Sequence, residues 1–277
     1  MYVIKLCFVV IKSRLTSVIN SFGTTAMSDS LFKSFTQSKC PSWRCPDCFN
    51  ETLTIVPESF FKANSGETSR CKNEEWFCAD HVRLVFSCVL LCQRTDCGAT
   101  VAVTGKGWTE EDNYYDENNQ VQTNYPDWFR AKTFYPALPL FLPPEGCPES
   151  VLDHLASVSS LLTGHPTAAA NAIRSLLEVL LDDLGVPRVV LNKGAKPHFL
   201  SLHRRIQEYP QLLGPHHDAF MALKHFGNAG SHGGEPINQS HLEDACEVLE
   251  LIITLLYQKH PDVSDHIARL DKAFSKK

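Results

Sequence analysis

No run of about twenty consecutive apolar residues occurs anywhere in this 277-residue chain, so no segment reads as a membrane-spanning helix. An excess of positive charge is also missing. The formal net charge is −5, which excludes a chain drawn as a whole to nucleic acid and confines any phosphate-binding surface to a local patch. Internal repeats and low-complexity tracts are absent, which argues against a solenoid and against a disordered chain. The glycines Gly227 and Gly230 are not followed by Gly-Lys-Ser/Thr, so they do not form a Walker phosphate loop.

Cysteine, in contrast, is plentiful. There are 11, and their placement is uneven: from Cys40 to Cys97 they cluster, and only Cys147 and Cys246 follow. Clustered cysteines without a convincing export signal favour a metal over disulfides, and with it a cytoplasmic setting. The short apolar run Leu6 to Val10 is too brief for a bilayer and lacks a clear cleavage site. Residues 1–26 therefore read as a non-native or disordered start, with Met27 rather than Met1 opening the natural chain.

The expected fold class is α+β: a small β-rich, zinc-ribbon-like module over residues 27–133, a Pro-rich linker over 134–148 and an all-α bundle over 149–277. Thr52–Val56, Val82–Phe86 and Thr100–Thr104 are apolar or alternating runs of strand length, the last broken at Gly105 and Gly107. Residues 108–130, acidic and aromatic, read as an irregular cover. Beyond Glu149 the period becomes helical. One helix spans Val151–Leu162, a stronger one Ala168–Leu184, a third begins near His198, and a fourth covers Pro215–Phe226. The last, capped by Ser240 with Glu243, should be buried on most sides.

Two cysteine pairs carry the clearest chemistry. Cys45-Pro-Asp-Cys48 is a CxxC knuckle; Cys92 and Cys97 form a wider one followed by Gly98. Two turns that each bring two thiolates together make the tetrahedral S4 site of a structural zinc. Four thiolates leave no open coordination position, so this ion should fold the module rather than catalyse. Cys40, Cys71, Cys78, His81 and Cys88 leave a second metal open; Cys71, Cys78 and Cys88 otherwise read as small buried hydrophobes.

The helical half offers a second candidate site. His232 could exchange a proton, since histidine ordinarily titrates near neutrality; Arg174 suits a phosphate, Lys224 adds charge, Asn228 donates, and Glu178 lies one turn from Arg174 to orient it. The same residues equally suit structural roles: an ion pair for Arg174 and Glu178, helix caps for Asn228 and His232, tight turns for Gly227 and Gly230. A basic run holding Lys193, Lys196, Arg204 and Arg205 is either a nucleic-acid track or a solvated helix face.

Three blocks carry a family resemblance: Phe134–Leu140, Ala168–Glu178 and Ala222–His232. Together they resemble domain-of-unknown-function family 4145 of bacteria, which is grouped with the HEPN-like helical domains. Many HEPN members are metal-independent RNases or parts of toxin and defence systems, with an arginine–histidine site at the start of the final helix. The resemblance implies that His232 takes the histidine position, while Lys224 stands where arginine is usual. Two functions follow as expectations. One is a zinc-binding, non-catalytic interaction or nucleic-acid-associated module in bacterial defence, with RNA, DNA or a protein as partner and homodimerisation through the bundle. The other is a HEPN-like ribonuclease using the Lys224–His232 segment.

Overall fold

The computed structural model describes residues 27–190, 197–232, 236–259 and 263–275. The expectation for residues 1–26 lies outside that set.

The β-rich part is an antiparallel sheet. Its strands are β1 (Leu53–Ile55), β2 (Phe61–Asn64), β3 (Arg83–Cys92), β4 (Thr100–Thr109) and β7 (Asp127–Tyr135), in the order β1–β3–β4–β7, with β2 also paired to β3. Period-two alternation buries Leu84, Phe86, Cys88, Leu90 and Cys92 of β3 on one face and leaves the intervening residues toward solvent. The glycines of β4 do not end the strand, as the sequence suggested. A Cβ on Gly105 would sit 2.2 Å from the Arg130 carbonyl oxygen, and one on Gly107 would sit 2.7 Å from the Phe129 ring. Glycine there lets the neighbouring strand and its aromatic ring come close. The expected irregular cover is likewise sheet: β5 (Asp112–Tyr115) and β6 (Val121–Asn124) make an exposed hairpin, and Trp108 pairs in register with Trp128. Charged and aromatic residues obscured the pattern because this region has little buried face to mark its period.

The helices are α1 (Met27–Phe32), α2 (Gly66–Cys71), α3 (Glu149–Leu162), α4 (Pro166–Asp183), α5 (Leu202–Glu208), α6 (Pro210–Leu213), α7 (His217–His232), α8 (Gln239–Tyr257) and α9 (Ser264–Phe274). The central one is α4, whose Ala169, Ile173, Leu176, Leu177, Leu180 and Leu181 are all fully buried. The last long apolar helix, α8, buries one face only and leaves Leu255 46% exposed, so the expected burial on most sides does not hold. Its cap lies two residues before the expected Ser240: Asn238 Oδ1 accepts from the His241 amide at 2.9 Å. The segment from His198 is first a strand, β9 (His198–Phe199), paired with β8 (Val189–Val190), and helix begins only after Ser201 caps it.

The two halves are not separate modules. Trp43, fully buried, sits edge-on to Phe35 and Phe134, and its indole N–H donates to the Ser30 carbonyl at 2.9 Å. The Pro-rich segment lies against the same core through Leu138, Leu140 and Phe141, and Ser159 of α3 donates to the Leu138 carbonyl. Thr163 Oγ1 donates to the Lys132 carbonyl at 2.9 Å, tying the end of α3 to β7. One continuous apolar cluster therefore runs from Leu31 to Ile253. The C-terminal α9 stands outside it, with Ile267, Leu270 and Phe274 exposed.

Candidate functional site

The two knuckles meet at one end of the sheet. The chain turns tightly after Cys45, whose amide donates to Asn50 O at 2.9 Å and whose carbonyl accepts from Phe49 at 3.0 Å. Cys92 closes β3 beside Leu53 of β1, and Gly98, at φ +61°, completes the second turn. The four sulfurs all lie within 4.8 Å of one another. Cys45 Sγ is 3.6 Å from Cys97 Sγ, and Cys48 Sγ is 3.7 Å from Cys92 Sγ. A disulfide would need about 2.05 Å. Sulfurs about 2.3 Å from one tetrahedral ion stand about 3.8 Å apart. The spacing thus fits ligands around a shared metal ion rather than bonded pairs.

Electrostatics agree with a cation. Burial pushes the Cys45 thiol up to about 12, while the Asn50 amide draws Cys48 down to about 6. Backbone amides of Arg94 and Ala99 face the sulfurs of Cys92 and Cys97. Four sulfurs this close cannot all be thiolates without a positive charge between them. These cysteines could hold a metal ion. Among the described residues no second group gathers. Cys78 meets only His81, at 3.3 Å, while Cys40 donates to Leu53 O and Cys88 is buried in the core.

The glycine-bearing segment of the helical half is helix, not loop. α7 runs through Gly227 and Gly230 and packs antiparallel against α4. A Cβ on Gly227 would lie 2.8 Å from Arg174 Cβ, and one on Gly230 would lie 2.7 Å from the Thr167 carbonyl oxygen. These glycines allow two backbones to approach; they do not make turns. Asn171 locks the seam, donating to Gly230 O at 3.1 Å and accepting from Ser231 Oγ. Gly230→Ala would gain about 1 kcal/mol of helix propensity. Overpacking against an immovable backbone oxygen costs about 1–3 kcal/mol. The expected net is a loss of up to about 2 kcal/mol, read as a lowered denaturant midpoint.

Of the proposed catalytic set, Arg174 lies on α4 beside Gly227, and Lys224 and Asn228 lie on α7, all half-buried. Among the described residues their side chains make no hydrogen bond or ion pair. Glu178 does not orient Arg174. It pairs instead with Arg205. His232 ends α7, and its side chain lies outside the described set.

The basic run is not a free phosphate track. Arg205 is 0% exposed, reaching Glu178 and, at 2.7 Å each, Asp182 and the Val186 carbonyl. It pins α5 to α4, and its unpaired donor, Nε, is buried out of a phosphate's reach. Arg204 pairs with Glu208 at 2.6 Å, and Arg188 with Asp182. The Arg188 guanidinium, then Arg205, holds the Asp182 carboxyl below the usual range. Lys193 and Lys196 lie outside the described residues.

Residues 156–277 match the family model of domain of unknown function DUF4145. Residues 33–134 match that of a second domain of unknown function, DUF8608. Searches of curated proteins and of solved structures returned no match. The DUF8608 match takes in all four clustered cysteines and the sheet as far as Phe134, one residue short of the end of β7. The DUF4145 match begins within α3 and covers the α4–α7 seam. Charge on the outward face of the DUF8608 sheet, at Lys106, Arg130 and Lys132, escaped the sequence reading. The signal was the alternation Thr100–Trp108, hidden by its two inward glycines.

Proposed function

We propose that this chain is a non-catalytic interaction module whose DUF8608 part is built around a structural zinc, with a nucleic acid or a protein as its partner. The observation that carries this reading is the pair of sulfur–sulfur distances, 3.6 and 3.7 Å, at the edge length of a tetrahedral S4 site. Four cysteine ligands fill every position, so the ion would have no site for a reactive water, and its role is to close the end of the sheet. The Cys45, Cys48, Cys92 and Cys97 side chains would hold it. The purified protein should contain one zinc per chain by elemental analysis. A chain without metal, or one that keeps its fold after metal removal, would overturn the reading.

A second reading, a HEPN-like metal-independent ribonuclease, draws support from one feature: Arg174 and Lys224 carry charge beside Asn228 with no carboxylate partner among the described residues. Incubation of the zinc-loaded protein with RNA, with no free divalent cation added, separates the two. The interaction reading expects no cleavage. Cleavage that disappears in His232→Ala would replace it with the nuclease.

A further inference from the structure

The outward face of the sheet is open and free of acid. Along β3, β4 and β7 the residues pointing away from the core include no Asp or Glu. One row across the strands is Val85, Lys106 and Arg130; the next is Arg83, Trp108 and Trp128. A register shift between Thr104 and Gly105 adds Lys132 to the same patch as an extra residue on β7. Tyr135, 79% exposed, ends it. This concentration of positive charge stands on a chain whose net charge is −5.

Three observations show that the cations are neighbours without internal neutralisation. The Lys132 ammonium is held low by partial burial and by the charges of Lys106 and Arg130. The Arg130 guanidinium lies over the Trp108 ring at 5.6 Å, and its Nε is buried without a hydrogen-bond partner among the described residues. Lys132 Nζ donates only to the Thr163 carbonyl, at 3.0 Å, which leaves its charge uncompensated. Of the acids beside the patch in sequence, Asp127 pairs with Lys62 and accepts from Thr109, while Glu110 accepts from the Trp108 indole N–H and so fixes that ring at the margin of the patch.

We infer that this face binds a single-stranded nucleic acid, with Lys106, Arg130 and Lys132 meeting phosphates and the Trp108–Arg130 pair and Tyr135 stacking on bases. Sheet surfaces of this width display two or three bases, and stacking on aromatic rings and guanidinium planes tolerates any sequence. A duplex hides its bases and would engage the cations alone. A lipid surface would call for several exposed apolar side chains to insert; on these strands only Val85 and Tyr135 are large, apolar and strongly exposed, and Tyr135 carries a polar hydroxyl. An acidic polypeptide would satisfy the cations but leave the stacking surfaces without partners.

The inference rests on the reading of the chain as a binding module, and its test separates the two. Zinc-loaded full-length protein is titrated into fluorescein-labelled 12-nucleotide RNA and DNA strands, followed by anisotropy and tryptophan quenching. Three phosphate contacts predict about 18-fold weaker binding on going from 50 to 200 mM salt, from a slope of about −0.7 per contact. Lys106→Glu should weaken binding about tenfold and Tyr135→Ala about fivefold or more, with zinc content and melting temperature unchanged. No binding of either strand, equal binding of duplex, preference for polyglutamate or anionic phosphatidylserine vesicles, or no effect of both substitutions would each overturn the inference. RNA cleavage by the zinc-loaded protein without free divalent cations would sink the module reading instead; the DNA strand, lacking the 2′-hydroxyl, still decides whether the face binds.

Discussion

Cys92→Ser should strip the metal from the purified protein and unfold the sheet, lowering the melting temperature beyond what any surface substitution does. Apparent binding energies of structural zinc sites, about 10–16 kcal/mol, match or exceed the whole stability of a typical domain, about 5–15 kcal/mol. Cys92 is 3% exposed and closes β3 against Leu53, so the loss reaches the sheet core directly. Because the Pro-rich segment and the end of β7 join that core to α3, unfolding should spread into the DUF4145 part as a single transition. Elemental analysis and circular dichroism on the same sample check both halves of the claim. Two separate transitions would contradict the shared core. A native melting curve for the metal-free variant would contradict the structural ion.

Arg205→Met should cost about 3 kcal/mol, or roughly 6–12 °C in melting temperature for a chain of this size. Methionine keeps most of the buried volume and removes the charge and donors. Three partners then lose their cation or donor: Glu178, Asp182 and the Val186 carbonyl. The two carboxylates are about a third exposed and can rehydrate, which holds the loss to the lower end of the range for broken buried pairs. Adding Glu178→Gln and Asp182→Asn to the variant should recover part of it. A near-neutral Arg205→Met would mean that the arginine serves only to fill space. The linkage sign is fixed by Asp182, whose folded carboxyl lies below its ordinary value. Its contribution is present at neutral pH and is lost as pH falls through that depressed value, so the wild type should weaken in acid more than the triple variant. Nucleic-acid affinity, in contrast, should follow Lys106 and not Arg205.

Local pattern made the metal ligands legible, because a knuckle is a feature of four to six consecutive residues and two of them imply one ion. The α+β order and the α4 core face were legible for a similar reason: periods of two and 3.6 are written along the chain. The Gly227–Gly230 segment misled because glycine has two uses, a turn or a close helix approach, and the choice between them depends on whether a neighbouring backbone such as that of Thr167 lies against it. Glu178 misled in the same way. One helical turn separates it from Arg174, yet its cation is Arg205, 27 positions away in sequence.

The chain by itself determined which residues are apolar in which rhythm, and that four sulfurs come in two close pairs. Packing decided the rest: that the two halves share a core, that Arg205 is sealed while Lys106 stays exposed and Arg130 half-buried, and that β4 keeps its strand through two glycines. Charge in a sequence has a sign but no side. Only the pairing of β3, β4 and β7 sets those cations on one face, where no carboxylate of the strands can reach across the sheet to neutralise them.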